Sequence, residues 1–226
     1  MGELNNFLSW LKVDVITEEI LIFILFVPII ATLVNVSRYI IGFRTFGIYA
    51  PMILSFSYIF TGIRYGLLVT VAVIVSTLLS HTLLKNIRMH YMSRITINYT
   101  ITVFMVLIIL ALNEISPWSI TTEQHTISAI PPLGIILIIT LSDFFIKQYI
   151  KKDLLTTIRS LVETVIIACI GWLLLTINEL QNFLINNIWI LIPLLILNFL
   201  IGQYKSLSIK ELFRFKKDLS DNGENE

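Results

Sequence analysis

The amino-acid sequence predicts an all-α membrane protein, a polytopic transmembrane helical bundle of about seven spans. The chain has 226 residues, of which 56% are hydrophobic and only 14% are charged. Soluble domains carry about 25% charged residues, so this composition lies outside that class. The mean hydropathy is +0.86. Several apolar runs reach the roughly 18 to 20 residues that cross about 30 Å of hydrocarbon.

Seven apolar segments are predicted to cross the bilayer, and short polar loops separate them. The predicted spans are 19–37, 45–63, 65–84, 95–113, 127–146, 160–177 and 187–203. Together they form the predicted membrane domain, residues 19–203. Residues 1–18 are predicted to be an outer interfacial amphipathic segment. Residues 204–226 are predicted to be a cytoplasmic basic amphipathic helix followed by a disordered tail.

The distribution of Lys and Arg predicts the orientation of the bundle. If all seven segments cross, fourteen of the sixteen Lys and Arg residues lie on the side of the C-terminal tail. Cytoplasmic loops of membrane proteins are enriched in Lys and Arg. We therefore expect the N-terminus outside and the C-terminus in the cytoplasm.

The stretch from Gly42 to Gly66 does not resemble a regular lipid-facing helix. It is apolar enough to enter a bilayer, yet it contains four of the nine glycines and also Pro51. Such residues weaken or break a helix, so this backbone is expected to be buried in protein or to line a wet cavity. The second span is therefore either a crossing, which we prefer, or a broken, re-entrant segment. If the second span re-enters, 13 Lys and Arg residues lie on the predicted cytoplasmic side and 3 on the other side. The distribution of charge therefore barely separates the two topologies.

Two segments with glycine and proline resemble each other. GIYAPMILSF begins at Gly47 and SAIPPLGIIL begins at Ser128, and in the seven-span topology they run in opposite directions. Broken segments at corresponding places of inverted halves mark the binding site in several transporter folds. The alternative is that membrane helices simply carry more Pro and Gly than soluble ones.

Charged residues near the predicted inner ends of the spans are the other candidates for function. An intramembrane charge costs about 2.5 kcal/mol or more at mid-bilayer and needs a partner. Arg159 lies four residues before Glu163, so the two side chains can pair along one helix. With Arg94 and Asp143 they form either an anion or proton path or a structural ion-pair network. The residues expected to bind a ligand are Gly47, Pro51, Arg94, Asp143, Arg159 and Glu163.

Signatures of enzymes are absent from the sequence. There is no H-E-x-x-H, no G-x-S-x-G and no P-loop, so we expect neither catalysis nor a cofactor. His90 and His125 lie in loops on opposite predicted sides, and no metal site is expected. The basic inner loops are explained by the anionic lipid surface, without nucleic acid.

Several motifs resemble, in order and spacing, the bacterial seven-transmembrane module that is usually fused to an inactive transglutaminase-like domain. The motifs are Arg38, Ile41-Gly42, Thr45-Phe46-Gly47, Pro51, Thr61-Gly62, Arg94, LIITLSDFFI at 137–146 with Asp143 at the acidic position, and GQYKSLSIKELFRF at 202–215. The resemblance covers roughly residues 25 to 215. Phe144 stands where that family often has an arginine, and the sequence contains no transglutaminase-like domain.

The resemblance implies a non-catalytic integral subunit of a cell-envelope or peptide-ligation system in the bacterial cytoplasmic (inner) membrane. The family is thought to work beside ATP-grasp ligases, and the chain is also similar to the small membrane subunit of poly-gamma-glutamate capsule synthesis. It therefore implies a protein partner, the ligase or a separate soluble domain, and an acidic peptide that suits a basic inner face. A secondary transporter for an anionic solute and a structural membrane anchor are the alternatives. The oligomeric state is not predicted.

Reporter fusions test the topology of the second span. Fusions placed after Arg44 and after Arg64 should report opposite sides of the membrane, because the preferred topology makes the residues between them cross. A re-entrant segment predicts that both fusions report the same side, and this result would contradict the seven-span topology.

Overall fold

A computed structural model of the chain describes residues 18–84, 87, 89–115, 132–151 and 154–203, and within these ranges every regular element is helical. The predicted segment 1–18, apart from its last residue, and the predicted tail 204–226 lie outside the described residues. The helices are α1 Glu18–Val36, α2 Tyr49–Thr61, α3 Ile63–Leu84, α4 Tyr91–Ile115, α5 Pro132–Ile139, α6 Leu141–Lys151, α7 Leu154–Thr176, α8 Asn178–Asn186 and α9 Leu191–Gln203. The all-α prediction is confirmed for this part of the chain.

Five segments among the described residues are long and apolar enough to cross a bilayer, by length and composition. They are Ile20–Ile41, Ile63–Leu84, Met92–Leu112, Pro132–Tyr149 and Leu155–Thr176. A sixth candidate is α8 together with Ile188–Gln203, two helical pieces joined by a 90° bend. The remaining predicted span, 45–63, contains only the 13 residues of α2. At 1.5 Å per residue, α2 is about 20 Å long, which is shorter than the hydrocarbon core.

The structure corrects the boundaries of two predicted loops. Residues 178–186 were expected to be a loop, but they form the helix α8. Its apolar residues recur at helical spacing among polar ones, so the segment contains no apolar run long enough to predict a span. Helix α7 begins at Leu154, not at the predicted residue 160. Glu163 therefore lies about 13 Å along α7 and not near the first residue of the helix, as the predicted span implied.

The chain divides into two compact units, and each is described by itself. The terminal unit comprises Met1–Gly42 and Leu173–Glu226, and the 43–172 unit comprises Phe43–Trp172. In the terminal unit, α1 packs against α9 and α8. The Asn35 side-chain amide donates to Asn198 at 2.9 Å, and Asn198 donates to the Thr32 hydroxyl at 2.6 Å. Interhelical hydrogen bonds of this kind hold apolar helices together in lipid.

The 43–172 unit is built around α3, which packs against α2, α4, α5 and α6. Its core is apolar and draws on every helix of the unit. The buried core residues are Phe46, Ala50, Leu54, Tyr58, Val69, Ala72, Val73, Val106, Ile138, Leu141, Phe145, Leu161 and Ala168. Hydroxyl side chains on α3 join neighbouring helices, as in the hydrogen bond of 3.0 Å between Ser76 and Thr102. The serines and threonines of the third predicted span thus serve helix packing here.

The chain reverses direction at Gly62, between α2 and α3. The hydroxyl groups of Tyr58 and Thr70 lie 3.0 Å apart, although twelve residues of continuous helix would separate them by about 18 Å. Gly62 has a φ of +72°, which is easy only for glycine. The segment 45–63 therefore holds one uninterrupted helix with the reversal at its end. That it crosses the bilayer stays a prediction, which the reporter fusions test.

Gly66 lets α2 and α3 approach closely after this reversal. A Cβ at Gly66 would lie 2.4 Å from the Tyr58 ring and 2.9 Å from the Thr61 hydroxyl oxygen. These distances are shorter than van der Waals contact, so a larger residue would push α2 away from α3.

The substitution Gly66→Ala should therefore destabilise the protein by about 1–3 kcal/mol, because overpacking forces side chains and backbone to shift. The measurement is the thermal unfolding midpoint of the purified protein in detergent. Gly202→Ala is the matched control, since no atom of the described residues lies within 4 Å of a Cβ at Gly202. Equal midpoints for the two variants would contradict the close contact at Gly66.

Candidate functional site

The candidate site is the irregular backbone Phe43–Ile48, which we call the 43–48 turn, and the α5 and α7 residues that contact α2 and this turn. Two backbone N–H groups of the turn are bound by side chains of α7. The Arg44 N–H donates to the Glu163 carboxylate, and the Phe46 N–H donates to the Thr164 hydroxyl at 3.1 Å. Adjacent polar residues on α7 thus supply what lipid cannot give to a non-helical backbone.

Gly47 and Pro51, two of the predicted binding residues, shape the turn and the start of α2. Gly47 has a φ of +85°, and its carbonyl accepts a hydrogen bond of 2.9 Å from the Thr45 hydroxyl. Pro51 is the third residue of α2, where a backbone N–H has no partner within the helix. Proline therefore breaks no helical hydrogen bond here, contrary to the expectation that it disrupts the span. Both residues act through the backbone.

The two segments rich in glycine and proline contact each other. The Ser57 hydroxyl of α2 donates to the Gly134 carbonyl of α5 at 2.6 Å. A Cβ at Gly134 would lie 2.6 Å from the Thr61 methyl group and 3.0 Å from the Phe60 Cβ. Gly134 therefore allows the end of α2 to touch the first turn of α5. Ser55 also joins α2 to α7, since its hydroxyl lies 3.1 Å from the Ala168 carbonyl.

The predicted pair between Arg159 and Glu163 is confirmed, with 3.4 Å between Arg159 Nε and Glu163 Oε1. The Arg159 side chain is 66% exposed and that of Glu163 is 9% exposed. Glu163 accepts from the Arg44 backbone with its other oxygen, Oε2. One buried carboxylate therefore fixes the 43–48 turn and also holds an outward-facing guanidinium group.

The other two members of the predicted cluster have different partners. Asp143 accepts from Lys147 at 2.6 Å, one turn later on α6. The Lys147 side chain is 52% exposed and that of Asp143 is 21% exposed. The Arg94 guanidinium group points to the Ile87 carbonyl at 3.4 Å. The pair of Asp143 and Lys147 was not predicted, although its i,i+4 spacing is the signal of such a pair on a helix.

Comparison with known protein families identifies the chain. Residues 3–219 match the family described as seven transmembrane helices usually fused to an inactive transglutaminase. The chain belongs to this family. The resemblance drawn from the sequence motifs is thereby confirmed, and so is a multi-pass membrane architecture. No curated protein and no solved structure matches the chain.

Several of the motifs that carried the family resemblance fall on the 43–48 turn and at the two ends of α2. Thr45, Phe46 and Gly47 form the centre of the turn, and Thr61 and Gly62 form the reversal before α3. In this member of the transglutaminase-associated seven-helix family, these residues therefore set the two ends of the short helix α2.

The hydroxyl group of Thr164 offers a test of the turn. Thr164→Val keeps the shape of the side chain but removes the acceptor of the Phe46 N–H. We expect a loss of about 1–3 kcal/mol, the cost of leaving a buried donor unpaired. The measurement is chemical or thermal unfolding in detergent. Thr96→Val is the control, because Thr96 is exposed and bonds to the Met92 carbonyl on its own helix. A Thr164→Val protein as stable as the control variant would rule out this role.

Proposed function

We propose that the protein is a non-catalytic membrane subunit of a cell-envelope or peptide-ligation system. In this role it docks or passes an acidic peptide-like product made by a cytoplasmic ATP-grasp ligase. Membership of a family usually fused to an inactive transglutaminase supports a role that depends on binding and not on catalysis. The partner would be the ligase itself or a separate soluble domain, and the location would be a bacterial cytoplasmic membrane.

The asymmetry of the two ion pairs is the observation that carries this proposal. In both pairs the cation faces outward, and the acid is mostly buried: Arg159 covers Glu163, and Lys147 covers Asp143. Exposed ion pairs contribute little to stability, typically 0 to about 1 kcal/mol. These pairs matter for the sign of the charge that is exposed to solvent. This charge is positive, on a face that the sequence predicts to be cytoplasmic.

A positive face of this kind suits an acidic polymer. Opposite charges raise the local concentration of a charged ligand and its association rate, and salt weakens both effects. Single contacts stay weak, so a chain of carboxylates can be held at several points and still move. Docking or passage of an oligomer needs this combination more than it needs a closed pocket.

A second candidate, a secondary transporter for an anionic solute, is favoured by one contact. The two segments that contain glycine and proline, at α2 and α5, meet through Ser57 and Gly134. Segments of this kind line the substrate site in several transporter folds. A transporter would move a small acidic solute into liposomes by itself, whereas a docking subunit would only bind the peptide.

Binding of a glutamate oligomer to the protein in neutral-lipid nanodiscs tests the proposal. The double variant Lys147→Gln, Arg159→Gln should weaken binding about tenfold, because each exposed charge contributes up to about 1 kcal/mol. Rising salt should weaken binding of the unmodified protein as well. Arg64→Gln is the matched control, since Arg64 is exposed on α3 at the opposite predicted side.

Two results would overturn the docking role. One is that the unmodified protein does not bind the oligomer at low salt, although its unfolding temperature shows that it is folded. The other is an equal loss of affinity in the Arg64→Gln control, since that would show non-specific attraction. Uptake of glutamate by proteoliposomes, without a partner, would favour the transporter instead.

A further inference from the structure

Two exposed arginines meet at the buried carboxylate of Glu163. The backbone N–H of Arg44 donates to Glu163 Oε2, and Arg159 Nε lies 3.4 Å from Glu163 Oε1. Because both contacts are made to one carboxylate, the Arg44 backbone nitrogen and Arg159 Nε lie at most about 8 Å apart. We call Arg44 and Arg159 the arginine pair.

Both guanidinium groups are accessible to a ligand. The Arg44 side chain is exposed, and the contact of Arg44 with Glu163 uses the backbone N–H. The Arg159 side chain is 66% exposed, and its contact uses Nε, so the two terminal nitrogen atoms can donate to a ligand. Arginine has a long, flexible stem, and the Arg44 guanidinium group can therefore reach a ligand that Arg159 holds.

An exposed apolar face of α7 begins beside Arg159. Val162, Ile166 and Ile170 are 49%, 44% and 41% exposed. They follow Arg159 at intervals of three and four residues, so all of them lie on the same face of the helix as the arginine. We call these three residues the α7 strip. From Arg159 to its far end, this face is about 17 Å long.

The 43–48 turn has a feature of the membrane–water interface. Tyr49, the first residue after the turn, is 66% exposed. Tyrosine is enriched at the level of the lipid headgroups, because its ring is apolar and its hydroxyl group is polar. The seven-span topology predicts both Arg44 and Arg159 on the cytoplasmic side. The structure thus brings together two basic residues that are predicted to lie at the surface of one leaflet, the anionic one.

We propose that the arginine pair binds the phosphate of an anionic phospholipid, whose acyl chain lies along the α7 strip. Guanidinium groups bind phosphate oxygens through parallel, charge-assisted hydrogen bonds. Basic sites between transmembrane helices on the cytoplasmic side bind anionic headgroups in other membrane proteins. The formal charges of Arg44, Arg159 and Glu163 leave one net positive charge, which the phosphodiester of a lipid such as phosphatidylglycerol neutralises.

The α7 strip favours a lipid over a soluble anion. Free phosphate or a peptide carboxylate can bind the arginine pair but gains nothing from the apolar residues beyond it. A phospholipid can contact both, because its phosphate and its acyl chains belong to one molecule. This lipid site goes beyond the proposed docking role and does not depend on it. A lipid bound at Arg159 would compete with a docked peptide for that residue.

Native mass spectrometry of the purified full chain in detergent tests the proposal. It measures the affinities for phosphatidylglycerol and for phosphatidylcholine with the same acyl chains. Phosphatidylglycerol should bind about tenfold more tightly, because its net negative charge is attracted by two arginines. The double variant Arg44→Gln, Arg159→Gln should lower the affinity for phosphatidylglycerol about tenfold and leave that for phosphatidylcholine unchanged. Glutamine at position 44 keeps the backbone N–H that Glu163 accepts.

Arg64→Gln is the matched control. Arg64 is exposed, and the exposed residues Val71, Val75 and Leu79 follow it on one face of α3. Arg64 thus begins a similar apolar face at the opposite predicted side of the membrane. If the arginine pair selects the lipid, Arg64→Gln should change the affinity for phosphatidylglycerol by less than about twofold.

A lower unfolding midpoint in the double variant would leave the test to Arg44→Gln alone, which should weaken phosphatidylglycerol binding about threefold. Equal affinities for the two lipids in the unmodified protein would overturn the proposal, and so would an equally large loss in Arg64→Gln. Displacement of the lipid by inorganic phosphate at equal concentration would show a site for a free anion, and displacement by a glutamate oligomer would assign the pair to the peptide. Either result also overturns the proposal. The affinity measurements contain no peptide, so they can fail while the docking role stands.

Discussion

Hydrogen bonding of exposed backbone is the constraint on which the 43–172 unit depends. A chain in hydrocarbon has no water for the N–H groups that a helix does not use, and each unsatisfied group costs several kcal/mol. The 43–48 turn meets this constraint through two neighbouring side chains of α7, Glu163 and Thr164. Because these bonds hold the turn, α2 begins at a fixed place. Gly134 of α5 and Gly66 of α3 leave room for α2 to pack closely against both helices.

The sequence predicted the fold class and most of the helices, because runs of apolar residues are a direct consequence of the bilayer. It also identified the stretch Gly42–Gly66, which contains the 43–48 turn, as unusual, and it paired Arg159 with Glu163 by their spacing. It did not predict that Pro51 lies in the first turn of α2, where it is harmless, since that depends on where the helix begins. The amphipathic helix α8 was not predicted, because its apolar residues are interspersed with polar ones and form no continuous apolar run. The contact of Ser57 with Gly134 depends on packing between segments 77 residues apart.

The polar residues of this unit have different roles, which follow from their charge and their burial. Arg159 and Lys147 lie outward and offer the charge on which the proposed docking depends. Glu163 lies inward and fixes the backbone, so a change at Glu163 affects structure before it affects binding. Asn98 and Ser142 are buried, and their polar side-chain atoms have no hydrogen-bond partner among the residues that the structure describes. The two oxygens of Asp143 differ: Oδ2 accepts from the exposed Lys147, while Oδ1 is buried and has no partner among the described residues.

The hydrogen bonds of the 43–48 turn also set an order for the biogenesis of the protein. The Arg44 N–H finds its acceptor 119 residues later in the chain, and the Phe46 N–H finds its acceptor 118 residues later. At about 5–20 residues per second, the ribosome needs roughly 6–24 seconds to make that length of chain. During this time the α7 side chains that accept from the two N–H groups do not yet exist. The start of α2 is therefore fixed by the turn only late in the synthesis of the 43–172 unit.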